Sequence, residues 1–128
     1  MIDSMGKFAT CICCIDGRVH LPLIKWIKEK HEVAFVDIIT IPGPDKVISK
    51  NSEEDLKNVK HALNLSLNVN GSEKIILAGH YDCRANNVSH EEHISLIKKG
   101  VEIISTWGIS NAEVTGVWVN EKSEVEIV

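Results

Sequence analysis

The stretch Phe8-Ala9-Thr10-Cys11-Ile12-Cys13-Cys14-Ile15 decides the fold of this chain. Its apolar and small side chains follow one another without the spacing of an amphipathic helix. A continuous run of this kind is typical of a strand that is covered on both faces, as in a parallel sheet. The polar residues Asp16-Gly17-Arg18 follow the run directly. We therefore predict a buried parallel strand over residues 8–15 that ends in a polar cluster.

Further strand-like segments follow along the chain. They are rich in β-branched and other apolar residues, and they cover residues 33–41, 74–78 and 113–119. The stretch Pro42-Gly43-Pro44 is expected to stop the second of the four strands. At the end of the chain, Val125 and Ile127 alternate with glutamates, which predicts a half-exposed edge strand over residues 123–128.

Three segments between the strands have the spacing of amphipathic helices. They run from Leu21 to His31, from Ser52 to before Asn70-Gly71, and from Ser89 to Trp107-Gly108. Ser52 with Asp55 and Ser89 with Glu92 have the spacing of N-terminal capping residues. The alternation predicts a single domain over residues 1–128 with an α/β fold. We expect a layered sheet of about four parallel strands plus a C-terminal antiparallel edge strand, with helices on both faces.

The composition limits the partners and the location that we expect. The chain has 14 basic and 18 acidic residues, and its longest basic block is Lys98-Lys99, so nucleic acid is not an expected partner. No run approaches the ~20 apolar residues that span a bilayer, and residues 1–7 lack the apolar core of a signal peptide. We therefore expect a soluble cytoplasmic protein that does not bind membranes. Its four cysteines would then be metal ligands or buried thiols rather than disulfides.

Two short clusters carry residues that bind metals. They are Cys14-Ile15-Asp16-Gly17-Arg18, after the first predicted strand, and Gly79-His80-Tyr81-Asp82-Cys83, after the strand over 74–78. Two thiols and one imidazole suit a zinc ion that keeps one coordination position open. If the two strands are neighbours in a parallel sheet, their carboxyl ends lie at the same edge. We therefore predict that the two clusters form one site.

The alternation of side chains along a strand separates the cysteines of the first cluster. Cys14 and Asp16 share one side of the strand, and Cys11 and Cys13 face the other. This assigns Cys14 to the metal and predicts that Cys11 and Cys13 are small buried hydrophobic residues.

Histidines offer a rival metal site. His90 and His93 lie three residues apart at the start of the last helix, a few residues after Cys83. Such a pair would share one helix face with its imidazoles close to that thiol. The alternative interpretation is a solvated first helical turn. His20, close after the first cluster, would line the cleft or have no role.

The residues of the two clusters resemble the motifs of the β-class carbonic anhydrases. In that family zinc lies between a Cys-x-Asp-x-Arg strand end and a His-x-x-Cys turn. The resemblance implies one Zn²⁺ per chain, with Cys14, His80 and Cys83 as ligands and with Asp16 and Arg18 as the adjacent catalytic pair. It further implies a lyase that reversibly hydrates carbon dioxide to bicarbonate by means of zinc-bound hydroxide. A homodimer or a larger homo-oligomer is also implied.

The pair Asp16 and Arg18 has more than one interpretation. The carboxylate would accept a hydrogen bond from the hydroxide, while the guanidinium holds the carboxylate in a planar fork and off the metal. Without that grip, Asp16 would become a fourth metal ligand and close the site. An ordinary salt bridge at a helix entry is the remaining possibility.

Departures from the family motifs suggest alternative functions. Gly17 stands where the family usually has Ser, Arg84 where it has Gly, and residues 40–44 where it has an Arg-Asn segment. A non-catalytic or regulatory zinc-binding relative would tolerate these changes. A hydrolase of carbonyl sulfide or carbon disulfide would use the same zinc hydroxide, and the grouped cysteines would also suit a thiol redox protein. Arg84 would either add positive charge beside the site or point to solvent.

Overall fold

Strands and helices alternate along the chain in the computed structural model, which describes residues 6–128. The strands are β1 (Phe8–Cys13), β2 (Phe35–Thr40), β3 (Lys74–His80), β4 (Glu113–Val119) and β5 (Val125–Ile127). The helices are α1 (His20–His31), α2 (Pro44–Lys50), α3 (Glu53–Asn68) and α4 (His90–Ser105). Within residues 6–128, none of these helices has the length and hydropathy needed to cross a membrane.

The sheet has the strand order β2-β1-β3-β4-β5. The first four strands pair in parallel, and β5 pairs antiparallel with β4 at the edge. This confirms the predicted α/β fold with its antiparallel edge strand. The chain passes from β1 to β2 on one side and then places β3 on the other side of β1. Open α/β sheets bind their ligands in the crevice that such a reversal leaves at the carboxyl ends of the strands.

Apolar layers cover both faces of the sheet. On one face, Val19, Leu23 and Ile27 from α1 and its entry pack against the sheet. On the other face, side chains of α2, α3 and α4 such as Ile48, Leu56 and Ile104 form a second buried cluster. Because both faces are covered, the inner strands β1 and β3 are mostly apolar, which is the pattern that the sequence shows.

The helix starts follow the predictions in part. Ser89 precedes α4, and its hydroxyl oxygen accepts a hydrogen bond from the backbone N–H of Glu92 at 3.1 Å, as predicted. Ser52 precedes α3 at the predicted position, but its side chain makes no capping hydrogen bond within the described residues. The helix α2, which begins at Pro44 and has only 7 residues, was not predicted from the sequence. A segment this short shows too little of the helical period to be recognised.

Gly43 is required by the turn between β2 and α2. Its φ angle is +59°, and a Cβ at this position would lie 3.2 Å from the Asn86 Cβ. A left-handed conformation costs a residue with a Cβ about 1–2 kcal/mol, before any clash. We expect Gly43→Ala to lower the free energy of unfolding by about 1–3 kcal/mol in a urea titration.

Gly17→Ala is the matched control for this prediction. A Cβ at Gly17 would meet no heavy atom of residues 6–128 within 4 Å, and its φ angle is not in the left-handed region. We expect this variant to change the free energy of unfolding by less than about 0.5 kcal/mol. Equal stability of the two variants would contradict the role assigned to Gly43.

Candidate metal centre

Cys14, His80 and Cys83 lie together at the carboxyl edge of the sheet. Cys14 directly follows β1, His80 is the last residue of β3, and Cys83 lies in the turn that follows. β1 and β3 are hydrogen-bonded neighbours, so both chain segments reach the crevice where the strand order reverses. One potential ligand atom from each residue lies within 4.8 Å of the others. The structure therefore brings together the three side chains that the sequence placed in one site, and this group could hold a metal ion.

Within residues 6–128, the hydrogen bonding of His80 leaves one ring nitrogen without a partner. Its Nδ1–H donates to the backbone carbonyl of Tyr81 at 2.6 Å. Nε2 is buried and has no hydrogen-bond partner among residues 6–128. Burial also lowers the pKa of His80, which favours the neutral imidazole that binds metals. Because buried polar atoms normally have partners, this nitrogen fits a cation at the site.

The donor set itself fits zinc. Cys14 and Cys83 are each 4% exposed, so water reaches their sulfur atoms poorly. Burial raises the pKa of the Cys83 thiol, and a divalent cation would offset this because it stabilises the thiolate. Two thiolates and one imidazole suit zinc better than magnesium or calcium, which prefer oxygen ligands.

Asp16 and Arg18 form a planar, two-point ion pair beside this group. Arg18 donates from Nε to Oδ1 at 3.0 Å and from Nη2 to Oδ2 at 2.7 Å, and its backbone N–H also donates to Oδ1 at 3.0 Å. These hydrogen bonds hold the pKa of the Asp16 carboxyl well below its usual range. The same pairing raises the pKa of Arg18. Asp16 is therefore a carboxylate held in one orientation.

Arg18 also connects the two sequence clusters. Its Nη1 lies 3.2 Å from Oδ2 of Asp82, and its Nη2 donates to the backbone carbonyl of Asp82 at 3.2 Å. The guanidinium carbon lies 4.8 Å from the centre of the Tyr81 ring. The pair is thus more than a local salt bridge, because it joins the loop after β1 to the turn after β3. Asp82 could not be predicted as a partner of Arg18, because the two residues are 64 positions apart in the sequence.

The other residues considered from the sequence have clear places. Cys11 and Cys13 are buried in the apolar layer under α1, as predicted. His20 contacts the first cluster, since its Nε2 lies 2.8 Å from the backbone carbonyl oxygen of Cys14. Of the two alternatives for Arg84, the structure supports solvent exposure, because 84% of its side chain is accessible.

His93 corrects the interpretation of the last helix. It is only 3% exposed, so the expectation of a solvated first turn is wrong at this position. Its Nδ1 lies 2.6 Å from Oδ2 of Asp45, a residue that the sequence analysis did not single out. Within residues 6–128, His90 and His93 do not form a metal-binding group with Cys83. Instead, His90 packs edge-on against the ring of Trp118.

A family model described as "Putative carbonic anhydrase" matches residues 4–128. The chain belongs to this carbonic anhydrase family. Its architecture is similar to that of solved β-carbonic anhydrases. The isoform I enzyme of Trichomonas vaginalis is 15% identical, with 92% of this chain and 80% of that chain covered and a TM-score of 0.64. The family match and the shared fold make this chain a divergent member of the β-carbonic anhydrase family.

Two further solved structures share the fold of the present chain. The β-carbonic anhydrase CcaA is 18% identical, with 97% of this chain and 81% of that chain covered and a TM-score of 0.58. The apo form of carbon disulfide hydrolase is 16% identical, with 94% and 78% covered and a TM-score of 0.59. No curated protein matches the sequence. At these sequence identities the likeness shows a shared fold alone.

Proposed function

We propose that this chain is a zinc-dependent lyase of the carbonic anhydrase type, which reversibly hydrates carbon dioxide to bicarbonate. One observation carries the proposal. Three potential metal ligands lie within 4.8 Å of one another, and one of them is an imidazole whose Nε2 has no hydrogen-bond partner among residues 6–128. Asp16, whose carboxylate is paired with Arg18, lies two residues after Cys14. Membership of the carbonic anhydrase family supports the same conclusion.

In this proposal, Cys14, His80 and Cys83 hold one Zn²⁺ per chain. When bound, zinc lowers the pKa of a coordinated water from about 15.7 toward about 7 and so supplies a hydroxide nucleophile near neutral pH. The three side chains would fix the ion at the crevice and leave one position open to solvent. The hydrogen bond from His80 to the Tyr81 carbonyl would keep Nε2 directed at the ion.

Asp16 would accept a hydrogen bond from the O–H of the nucleophile and so orient it toward carbon dioxide. A carboxylate has about four acceptor sites. Arg18 uses two of these on Oδ1 and one on Oδ2. One acceptor site on Oδ2 therefore stays available. Because Arg18 is also held by Asp82, its grip keeps Asp16 from turning toward the metal as a fourth ligand.

A second candidate is hydrolysis of carbon disulfide or carbonyl sulfide. These molecules are linear and triatomic, like carbon dioxide, and would meet the same nucleophile. The fold shared with carbon disulfide hydrolase favours including them. A regulatory zinc-binding protein is a third candidate, in which Asp16 would fill the last coordination position.

We also propose that the protein is cytoplasmic and forms at least a homodimer. All four cysteines are free thiols, which suits a reducing compartment. Ile15 and Leu21, on either side of the Asp16–Arg18 pair in the chain, are 59% and 78% exposed. Large exposed apolar side chains of this kind are covered in many subunit interfaces. Light scattering coupled to size exclusion would measure the mass, and a monomer at micromolar concentration would contradict the dimer.

The function is tested by metal analysis combined with a hydration assay. Purified protein should contain one zinc per chain, and stopped-flow measurement with a pH indicator should show catalysed hydration of carbon dioxide. Carbon disulfide and carbonyl sulfide should be assayed on the same preparation. Zinc-loaded protein that turns over only a sulfur-containing substrate would shift the assignment to the second candidate. Zinc-loaded protein without any turnover would remove the lyase proposal.

A further inference from the structure

A buried carboxylate lies behind the turn that carries His80 and Cys83. Asp45, in the first turn of α2, is 1% exposed. Its Oδ2 accepts a hydrogen bond from Nδ1 of His93 at 2.6 Å, and its Oδ1 accepts from Nδ2 of Asn86 at 3.1 Å. The backbone N–H of Lys46 also donates to Oδ1 at 3.0 Å. Asp45 therefore joins α2, α4 and the segment after Cys83.

The contacts of Asp45 reach both ends of the ligand turn, which runs from His80 to Cys83. At the far end, the backbone N–H of Asn86 donates to the carbonyl of Cys83 at 3.3 Å. At the near end, Oδ2 of Asp45 lies 3.5 Å from the place where a Cβ on Gly79 would stand. The carboxylate is thus close to the backbone that precedes His80 and is connected through Asn86 to the backbone of Cys83.

The turn between these ends holds an uncommon backbone conformation. Asp82 has a φ angle of +48°, in the left-handed region that residues with a Cβ rarely adopt. Such a conformation persists only where the surroundings determine it. Arg18 holds the turn on its outer side through the carboxylate and carbonyl of Asp82. The contacts of Asp45 supply the corresponding restraint on the inner side.

His93 gives this restraint a rigid support. Its ring packs against Trp118, with the ring centres 5.2 Å apart. Both residues line a cavity of about 500 Å³ that also borders Cys83 and Asn86. Burying a carboxylate is costly unless charged or polar groups pair with it, and an apolar residue would fill the same volume at less cost. A buried carboxyl group that makes three hydrogen bonds at this position therefore points to a directional role.

We propose that Asp45 is a positioning residue for the metal centre, which holds the turn from His80 to Cys83 through Asn86 and His93. This inference rests on the proposed function, because it assigns Asp45 to the same zinc site. Asp45 does not itself bind the metal. It sets the distance at which the imidazole of His80 and the sulfur of Cys83 meet the sulfur of Cys14.

The test compares zinc binding in Asp45→Asn, Asn86→Ala and a control variant. Asp37 provides the control, because it is also a hydrogen-bonded carboxylate, which accepts from Ser66 Oγ at 2.7 Å and from Asn70 Nδ2 at 2.8 Å. Those partners lie at the end of α3 and just beyond it, away from the ligand turn. Asp37→Asn therefore changes a half-buried, hydrogen-bonded carboxylate without touching Asp45. Zinc affinity is measured by competition with a chromophoric chelator, and coordination geometry by the absorption spectrum of the cobalt(II)-substituted protein.

We expect Asp45→Asn to bind zinc about 10- to 100-fold more weakly than the parent, as is typical when a group that orients metal ligands is lost. Asn86→Ala should show a loss in the same direction, about 10-fold, and both variants should change the cobalt absorption bands. Asp37→Asn should keep the parent's zinc affinity and cobalt spectrum even if it unfolds at a lower temperature.

Parent-like zinc affinity and cobalt spectra in Asp45→Asn and Asn86→Ala would overturn the inference. An equal loss in Asp37→Asn would also overturn it, since the effect would then reflect general destabilisation. If Asp45→Asn does not fold, Asn86→Ala decides the question alone. A parent protein that binds zinc without hydrating carbon dioxide would remove the proposed function only, because the affinity ratios would still decide the role of Asp45.

Discussion

Cys83→Ser should weaken zinc binding by about 100- to 1,000-fold and abolish activity at ordinary zinc concentrations. The binding free energy of structural zinc sites in small proteins is about 10–16 kcal/mol, so one ligand of three or four contributes roughly 3–4 kcal/mol. Each 1.36 kcal/mol corresponds to about a tenfold change in affinity. A serine hydroxyl stays protonated near neutral pH and replaces a thiolate with a neutral oxygen donor. Chelator competition measures the affinity, and His80→Ala and Cys14→Ser should show losses of similar size.

Cys11→Ala is the matched control for the loss of a cysteine. Cys11 is fully buried in the layer under α1, away from the site. Its replacement removes one buried sulfur and should lower stability by about 1 kcal/mol while leaving zinc affinity unchanged. If Cys11→Ala lost zinc as strongly as Cys83→Ser, or if Cys83→Ser bound zinc like the parent, the assigned ligand set would be wrong.

Asp16→Asn should lower kcat/KM for carbon dioxide hydration by about 100-fold or more while zinc stays bound. Positioned carboxylates that accept a proton or orient a nucleophile typically contribute about 10²–10⁴-fold to a rate. The amide is neutral, and its NH₂ group faces the donors of Arg18, so the two-point contact is lost. Stopped-flow hydration assays and zinc analysis on the same sample separate the loss of rate from a loss of metal. An Asp16→Asn protein with the parent's rate would show that this carboxylate is only part of a salt bridge.

Arg18→Lys and Arg84→Lys extend this test. Lysine keeps the positive charge at position 18 but cannot donate in the planar, two-point geometry that Arg18 uses on Asp16. We expect roughly a 10-fold or larger loss of kcat/KM for Arg18→Lys. Arg84 is mostly exposed, and its Nη2 lies 3.9 Å from Oδ2 of Asp82. Arg84→Lys should therefore leave the rate within about twofold. A loss of equal size in both variants would contradict a specific role for the planar, two-point contact of Arg18 with Asp16.

Several local features could be predicted because their causes lie within a few residues. The apolar run that becomes β1 has no helical spacing, and β3 and β4 show the same pattern. The cap of α4 needs only Ser89 and Glu92, three positions apart. The alternation of strands and helices predicted parallel strands, whose carboxyl ends meet at one edge if the strands are neighbours, and the structure shows that β1 and β3 are neighbours. On that condition, the two metal-binding motifs could be assigned to one site from the sequence.

Other features depend on contacts between residues that are distant in sequence, so the local hydrophobic pattern does not predict them. Asp45 and His93 are 48 positions apart, and the residues next to each in sequence do not predict a buried hydrogen bond between a carboxylate and an imidazole. The start of the last helix is polar in sequence, so the burial of His93 depends on its contacts with Trp118 and Asp45. The short helix α2 is stabilised by contacts with other elements rather than by its own period.

The sequence by itself determined the alternation of the strands with the three longer helices, the two motifs and the type of metal that would suit them, because hydrophobic period and ligand chemistry are local properties. Only the tertiary structure decided how the motifs are held. Arg18 reaches across to Asp82, and Asp45 supports the opposite side of the same turn. These contacts require chain segments that the fold brings within hydrogen-bonding distance, and hydrogen bonds depend on distances of a few ångström that sequence separation does not encode.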